Sequence, residues 1–140
     1  MANSTEILYF YDALCGWCYG FSPVIRQLAE DYEGRMRFRV FSGGMMMGDR
    51  MGPWNEVAPY VKEGAWKTVE NRTGVHFGKK FLEEVLEPGT SIASSLEPAI
   101  ALSVFKSFET GKDVFYAAAL QRAIYQDGVE STNLQGFIPY

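Results

Sequence analysis

Histidine is nearly missing from this 140-residue chain, His76 being the only one, and cysteine occurs only twice, as Cys15 and Cys18. A structural zinc site takes four ligands, mostly cysteine and histidine, so one chain with three such residues does not build one. No apolar run approaches the roughly 20 residues that a bilayer span needs. Basic blocks are lacking too, and the net charge is −4, which makes nucleic acid a poor partner. The one cationic cluster, Arg35, Arg37 and Arg39, alternates with Met36, Phe38 and Val40. That alternation is the pattern of a solvated or ion-paired strand face. The opening "MANSTE" has no cationic start, and the apolar run after it, Ile7 to Tyr11, is too short for a signal-peptide core. A cytoplasmic chain is expected, or an exported one whose leader has been removed.

What is present divides in two. Residues 6–11, "EILYFY", form a nearly continuous apolar run suited to a strand buried on both faces of a parallel sheet. After the cysteines, Val24, Ile25, Leu28, Ala29 and Tyr32 recur at helical spacing, and Gly34 supplies a left-handed cap. Residues 35–41 alternate as a second strand, which completes a βαβ unit with a right-handed crossover. "SGGMMMGDRMGP" then reads as a flexible junction. From Trp54 onward the periodicity predicts helices over 54–70, 77–86, 91–108 and 113–126 and no strand, with Pro59 and Pro98 kinking or shortening two of them. The expected organisation is α/β: an N-terminal βαβ, residues 1–44, followed by a mostly α-helical domain, residues 45–140.

Cys15 and Cys18 sit two residues apart between the strand and the helix, the context of a dithiol redox site. Two small buried hydrophobes would be the chemically silent alternative. At a helix N-terminus, unpaired N–H groups and the macrodipole stabilise a thiolate, the species that attacks a disulfide. Three positions on, the second thiol lies one helical turn away, within reach of a disulfide. Cys15 is therefore expected to be the exposed nucleophile and Cys18 the buried resolving thiol, with exchange passing through a mixed disulfide on Cys15.

A strand, "CGWC", and a helix carrying Pro23 five residues after the second cysteine resemble the thioredoxin fold. More closely, "FYDALCGWCYGFSPVIRQL", "FSGGMM" and the helical block resemble the DsbA-like family, in particular its FrnE-type cytoplasmic branch. That resemblance implies a helical insertion after the second strand, with "LQRAIYQDGVESTN" as its last helix and exit turn. It implies a thiol–disulfide oxidoreductase with Cys15 and Cys18 as the active pair, no cofactor, and protein or small-molecule thiols and disulfides, glutathione among them, as partners. Two departures matter. Gly16 stands where the family often has proline, and the dipeptide between the cysteines helps set the redox potential. The family's cis-proline loop, closing strands and C-terminal helix follow the insertion, and this chain stops where they should begin. The expectation is the N-terminal two-thirds of a larger protein, with Ile138-Pro139 not the missing proline. An open strand edge and an uncovered apolar face would invite association, such as a homodimer.

Other residues near the motif have milder readings. Trp17 is either a contact for substrate peptide or packing against the helical lid. Asp12 could accept a proton from the resolving thiol, though a turn or cap role is favoured. Tyr9, Tyr11 and Tyr19 read as packing aromatics, Met45, Met46 and Met47 as an adaptable contact surface or as filler. His76 is a loop residue, and Glu83-Glu84 a helical surface pair. Two rival functions remain: a glutathione-dependent isomerase or transferase, whose relatives use a serine or lone thiol instead of a CxxC, and a non-enzymatic binding fragment.

Overall fold

A computed structural model describes residues 5–140; the first four, on which part of the leader reading falls, lie outside it. Strand β1 (Thr5–Tyr11) runs into helix α1 (Gly16–Asp31), which returns through a turn at left-handed Gly34 to strand β2 (Met36–Ser42). The two strands pair in parallel, Thr5 opposite Met36 and Tyr11 opposite Ser42. Ile7, Tyr9 and Tyr11 share the covered face with Phe38 and Val40, while Leu8 and Phe10 point outward. Burial on both faces of the first strand was expected, and it is not met, because among the described residues nothing packs on the outer side. Arg37 and Arg39 share that outer face and reach the Glu6 carboxylate at 3.9 and 3.8 Å, as alternation implied.

The chain then leaves through a glycine-methionine segment that is ordered, Arg50 donating to the carbonyls of Met45 and Gly44. A two-residue strand, β3 (Gly52–Pro53), pairs antiparallel with β4 (Ile92–Ala93). This corrects the expectation of a strand-free second half. The expected first helix is broken into α2 (Trp54–Val57) and α3 (Trp66–Thr73). Pro59 drives Ala58 out of the helical region, to φ −144° and ψ 51°. A widened turn with Gly64 at φ 130° then joins the two pieces. The helix expected over 77–86 forms over 79–86, widened from Phe81 to Leu86. Helix α4 (Leu96–Phe108) starts later than expected, after β4, with Pro98 in its first turn where a missing N–H costs nothing. Helix α5 (Asp113–Tyr125) matches its expected span and is buried along most of its length.

Helix α5 is the centre of the molecule, packing on α1, β2 and α4. One hydrophobic core runs from Tyr11 and Val40, through Leu120 and Ile124, to Trp54, Phe77 and Phe81. Tyr125 ties the two ends, its ring 5.0 Å from those of both Phe77 and Phe81. The start of α1 is thereby pinned against the helical block, and the pinned end carries the two cysteines.

Candidate dithiol site

Cys15 is the N-cap of α1 in extended backbone, φ −77° and ψ 111°, and its sulfur accepts the backbone N–H of Cys18 at 3.3 Å. Both cysteines are free thiols, and both are half-buried. The expected contrast of an exposed and a buried thiol is therefore absent; the two differ in their protons instead. The Cys18 thiol donates to Cys15, and the N–H groups of Cys18 and Trp17 add to this, lowering Cys15 from the ordinary 9 to about 6 against burial and the Asp12 charge. Cys18 moves the other way. Donating to Cys15 and being buried both hold its proton on.

Behind the thiols, a buried polar knot fixes the turn that presents them. The Asp12 carboxylate accepts from Leu14 N (2.9 Å), the Ser95 hydroxyl (2.8 Å) and Met45 N (2.8 Å). Its carbonyl accepts from Cys15 N at 3.1 Å and from Gln121 Nε2 at 3.4 Å. Ser95 Oγ in turn accepts Met46 N at 2.9 Å, and the Tyr125 hydroxyl donates to the Leu14 carbonyl. Both oxygens of Asp12 are thus engaged in holding the turn together. Ser95, Gln121 and Tyr125 escaped the sequence reading, being 83 to 111 residues from their partners with no local motif to mark them.

In front of Cys15 lies a cleft of about 120 Å³ with no acidic residue, lysine, arginine or histidine in its lining. Gly16, Trp17 and Met45 form one wall; Tyr60, Trp66 and Val69 of the helical block form the other. Trp17 is 54% exposed, so its indole stands at the rim of the cleft. Met46 is buried in the core while Met45 lines the cleft, which splits the methionine run between the two. Tyr9 and Tyr11 lie side by side with tilted rings (5.9 Å), their hydroxyls unpartnered and pushed up by burial. Tyr19 is buried and faces away from this cleft, as does Pro23. His76 is an exposed loop residue, and Glu83 and Glu84 are exposed. Ile138-Pro139 follows a short 3-10 turn at the surface.

No family model and no curated protein sequence matches the chain. Solved structures do. The cytosolic disulfide reductase DsbM from Pseudomonas aeruginosa, in a structure with GSH, superposes with a TM-score of 0.79 at 27% identity over 96% of this chain. A second DsbM structure gives 0.80 at 26% identity. The fold is thioredoxin-like, of the DsbA kind. A protein from Nitrosomonas europaea, assigned only provisionally as a disulfide isomerase, shares this fold with a TM-score of 0.78 at 24% identity. The chain spans 61 to 62% of the length of these proteins. Along this chain β1, α1 and β2 form the βαβ unit, and the helices from α2 to α5 follow it. Among the described residues no helix is long and apolar enough to cross a membrane.

Proposed function

We propose that this chain carries the dithiol site of a DsbA-like thiol–disulfide oxidoreductase. The observation that carries the reading is the opposed acidity of the two thiols: Cys15 lowered to about 6, Cys18 raised. At neutral pH the Cys15 thiolate attacks one sulfur of a substrate disulfide. A Cys15–substrate disulfide forms and the other substrate sulfur leaves as thiolate. Cys18 then gives up its proton to the first substrate thiolate and attacks the Cys15 sulfur. A Cys15–Cys18 disulfide forms, the second substrate thiolate departs, and two electrons have passed from the protein to the substrate. Residues 1–44 supply the thiols, and residues 45–140 supply the far wall of the cleft where a substrate disulfide would enter.

Apart from the Cys15 thiolate the cleft lining is uncharged, which suits a disulfide flanked by apolar groups, and Trp17, Tyr60 and Trp66 offer flat surfaces for them. Glutathione is a candidate partner because DsbM, a fold neighbour, was solved with GSH. The reductive direction and a cytosolic setting are favoured, since a glutathione-poised compartment keeps a dithiol reduced. Insulin reduction tests the reading. Cys15→Ser is expected to abolish turnover, and Cys18→Ser to accumulate a mixed disulfide on Cys15. Unchanged turnover in both variants would refute it. Binding of glutathione with no disulfide turnover in the wild type would favour the isomerase or transferase alternative.

A further inference from the structure

On the back of α1, away from Cys15, a second cleft of about 320 Å³ lies along the α1–α5 seam. It shares no residue with the cleft beside the thiols. Its α1 wall is a helical stripe, Tyr19, Ser22 and Arg26; its α5 wall presents Arg122, followed by Gln126; and His76 closes one end. Among the described residues neither guanidinium has a carboxylate within ion-pairing distance, although the other ion pairs of the molecule form freely.

We infer that this cleft binds a small oxyanion-bearing molecule, a carboxylate or a phosphate. Two unpaired guanidiniums on one concavity, in a chain of net charge −4, concentrate positive potential where low-dielectric walls focus it. Guanidinium donors match carboxylate and phosphate oxygens as forks. The floor is rigid: the Tyr19 hydroxyl donates to the His76 carbonyl at 2.6 Å and accepts from Gln126 Nε2 at 2.8 Å. The carboxylates that act on Tyr19, those of Glu70 and Asp127, are already engaged. Glu70 accepts Phe77 N at 2.8 Å and lies 3.8 Å from His76 Nδ1, while Asp127 accepts from the Tyr140 hydroxyl. Arg122 also lies over the Tyr140 ring at 5.9 Å. The volume lies at the low end of ordinary small-molecule sites, about 300–1,000 Å³, which suits a small ligand.

The inference is independent of the thiol chemistry, and its test is run on the Cys15→Ser/Cys18→Ser protein alongside the wild type. Inorganic phosphate and succinate are titrated by calorimetry against sodium chloride at matched ionic strength. Saturable binding of either, equal in the two proteins, is expected, and the tighter of the two names the ligand class. Arg26→Gln and Arg122→Gln are each expected to weaken binding by roughly tenfold or more, the scale of one charge-assisted hydrogen bond. Both arginines are exposed, so circular dichroism of the variants should match the parent. Heats no larger than those of chloride, or unchanged affinity in the double arginine variant, would overturn the site.

Discussion

A thiol one helical turn away does more for Cys15 than the helix end alone. The proton that Cys18 holds toward Cys15 is the largest influence on both residues, lowering one and raising the other. Alkylation by iodoacetamide should therefore rise through a midpoint near pH 6 at Cys15, while Cys18 stays unreactive; peptide mapping separates the two. The same shift links to stability. Cys15 is depressed in the fold, so its thiolate stabilises the reduced protein fully above about pH 9, and that contribution is lost as pH falls toward 6. Cys18, raised, opposes this only above pH 9. The urea midpoint of the reduced wild type should accordingly climb from about pH 6 to about pH 9 relative to Cys15→Ser. Asp12 works against the thiolate while holding its turn. Asp12→Asn should then do two opposite things. It should cost about 1–3 kcal/mol of stability through unsatisfied buried donors, and it should move the Cys15 alkylation midpoint downward.

Among the elements, α1 is fixed by what sits at its first two turns. Gly16 occupies the first helical position, where proline is at home because no intrahelical N–H is needed. A Cβ there would meet Val69 at 3.6 Å, ordinary contact. Gly16→Pro should therefore fold with unchanged or slightly raised urea stability, and shift the reduction potential. Gly20 is the contrary case. A Cβ there would lie 2.6 Å from Thr73 Cγ2, and the Thr73 hydroxyl is bonded to the Val69 carbonyl at 2.7 Å, so its rotamer cannot yield. Gly20→Ala should prise α1 from α3 and cost about 1–3 kcal/mol. The βαβ was legible because its signals are local: a strand run, a CxxC, a helical stripe and Gly34. The α5 span was legible for the same reason. The broken helices were less so, because Pro59 announces a break but not that a widened turn at Gly64 will bridge it. The β3–β4 pair joins residues some forty apart and left no trace in periodicity. The knot around Asp12 was half legible, since a turn role was readable at Asp12 and its partners on α4 and α5 were not.

For the whole molecule, the two strand edges are treated differently. The outer edge of β2 is covered by side chains: Lys106 donates to the Val40 carbonyl at 2.7 Å, and Asp113 accepts Val40 N at 3.3 Å while lying 3.7 Å from Lys106. The far edge of β1 has no such cover among the described residues, and Leu8 (49% exposed) and Phe10 (67%) stand beside it. Asp113→Ala should leave Val40 N–H buried and unpaired, costing about 1–3 kcal/mol in urea titration, and should promote association through an uncovered β2 edge, read by size-exclusion chromatography. If elution is unchanged, the side-chain cover is not what keeps that edge apart. The proposed function rests on one property, a dithiol that closes and opens as a unit. Equilibrating the protein across ratios of reduced to oxidised glutathione, quenching with acid and weighing the species reads it directly. The expected result is a single two-electron transition between free thiols and a Cys15–Cys18 disulfide, lost in either serine variant. Thiols that stay free across the series, or that end as separate glutathione adducts on each cysteine, would contradict it.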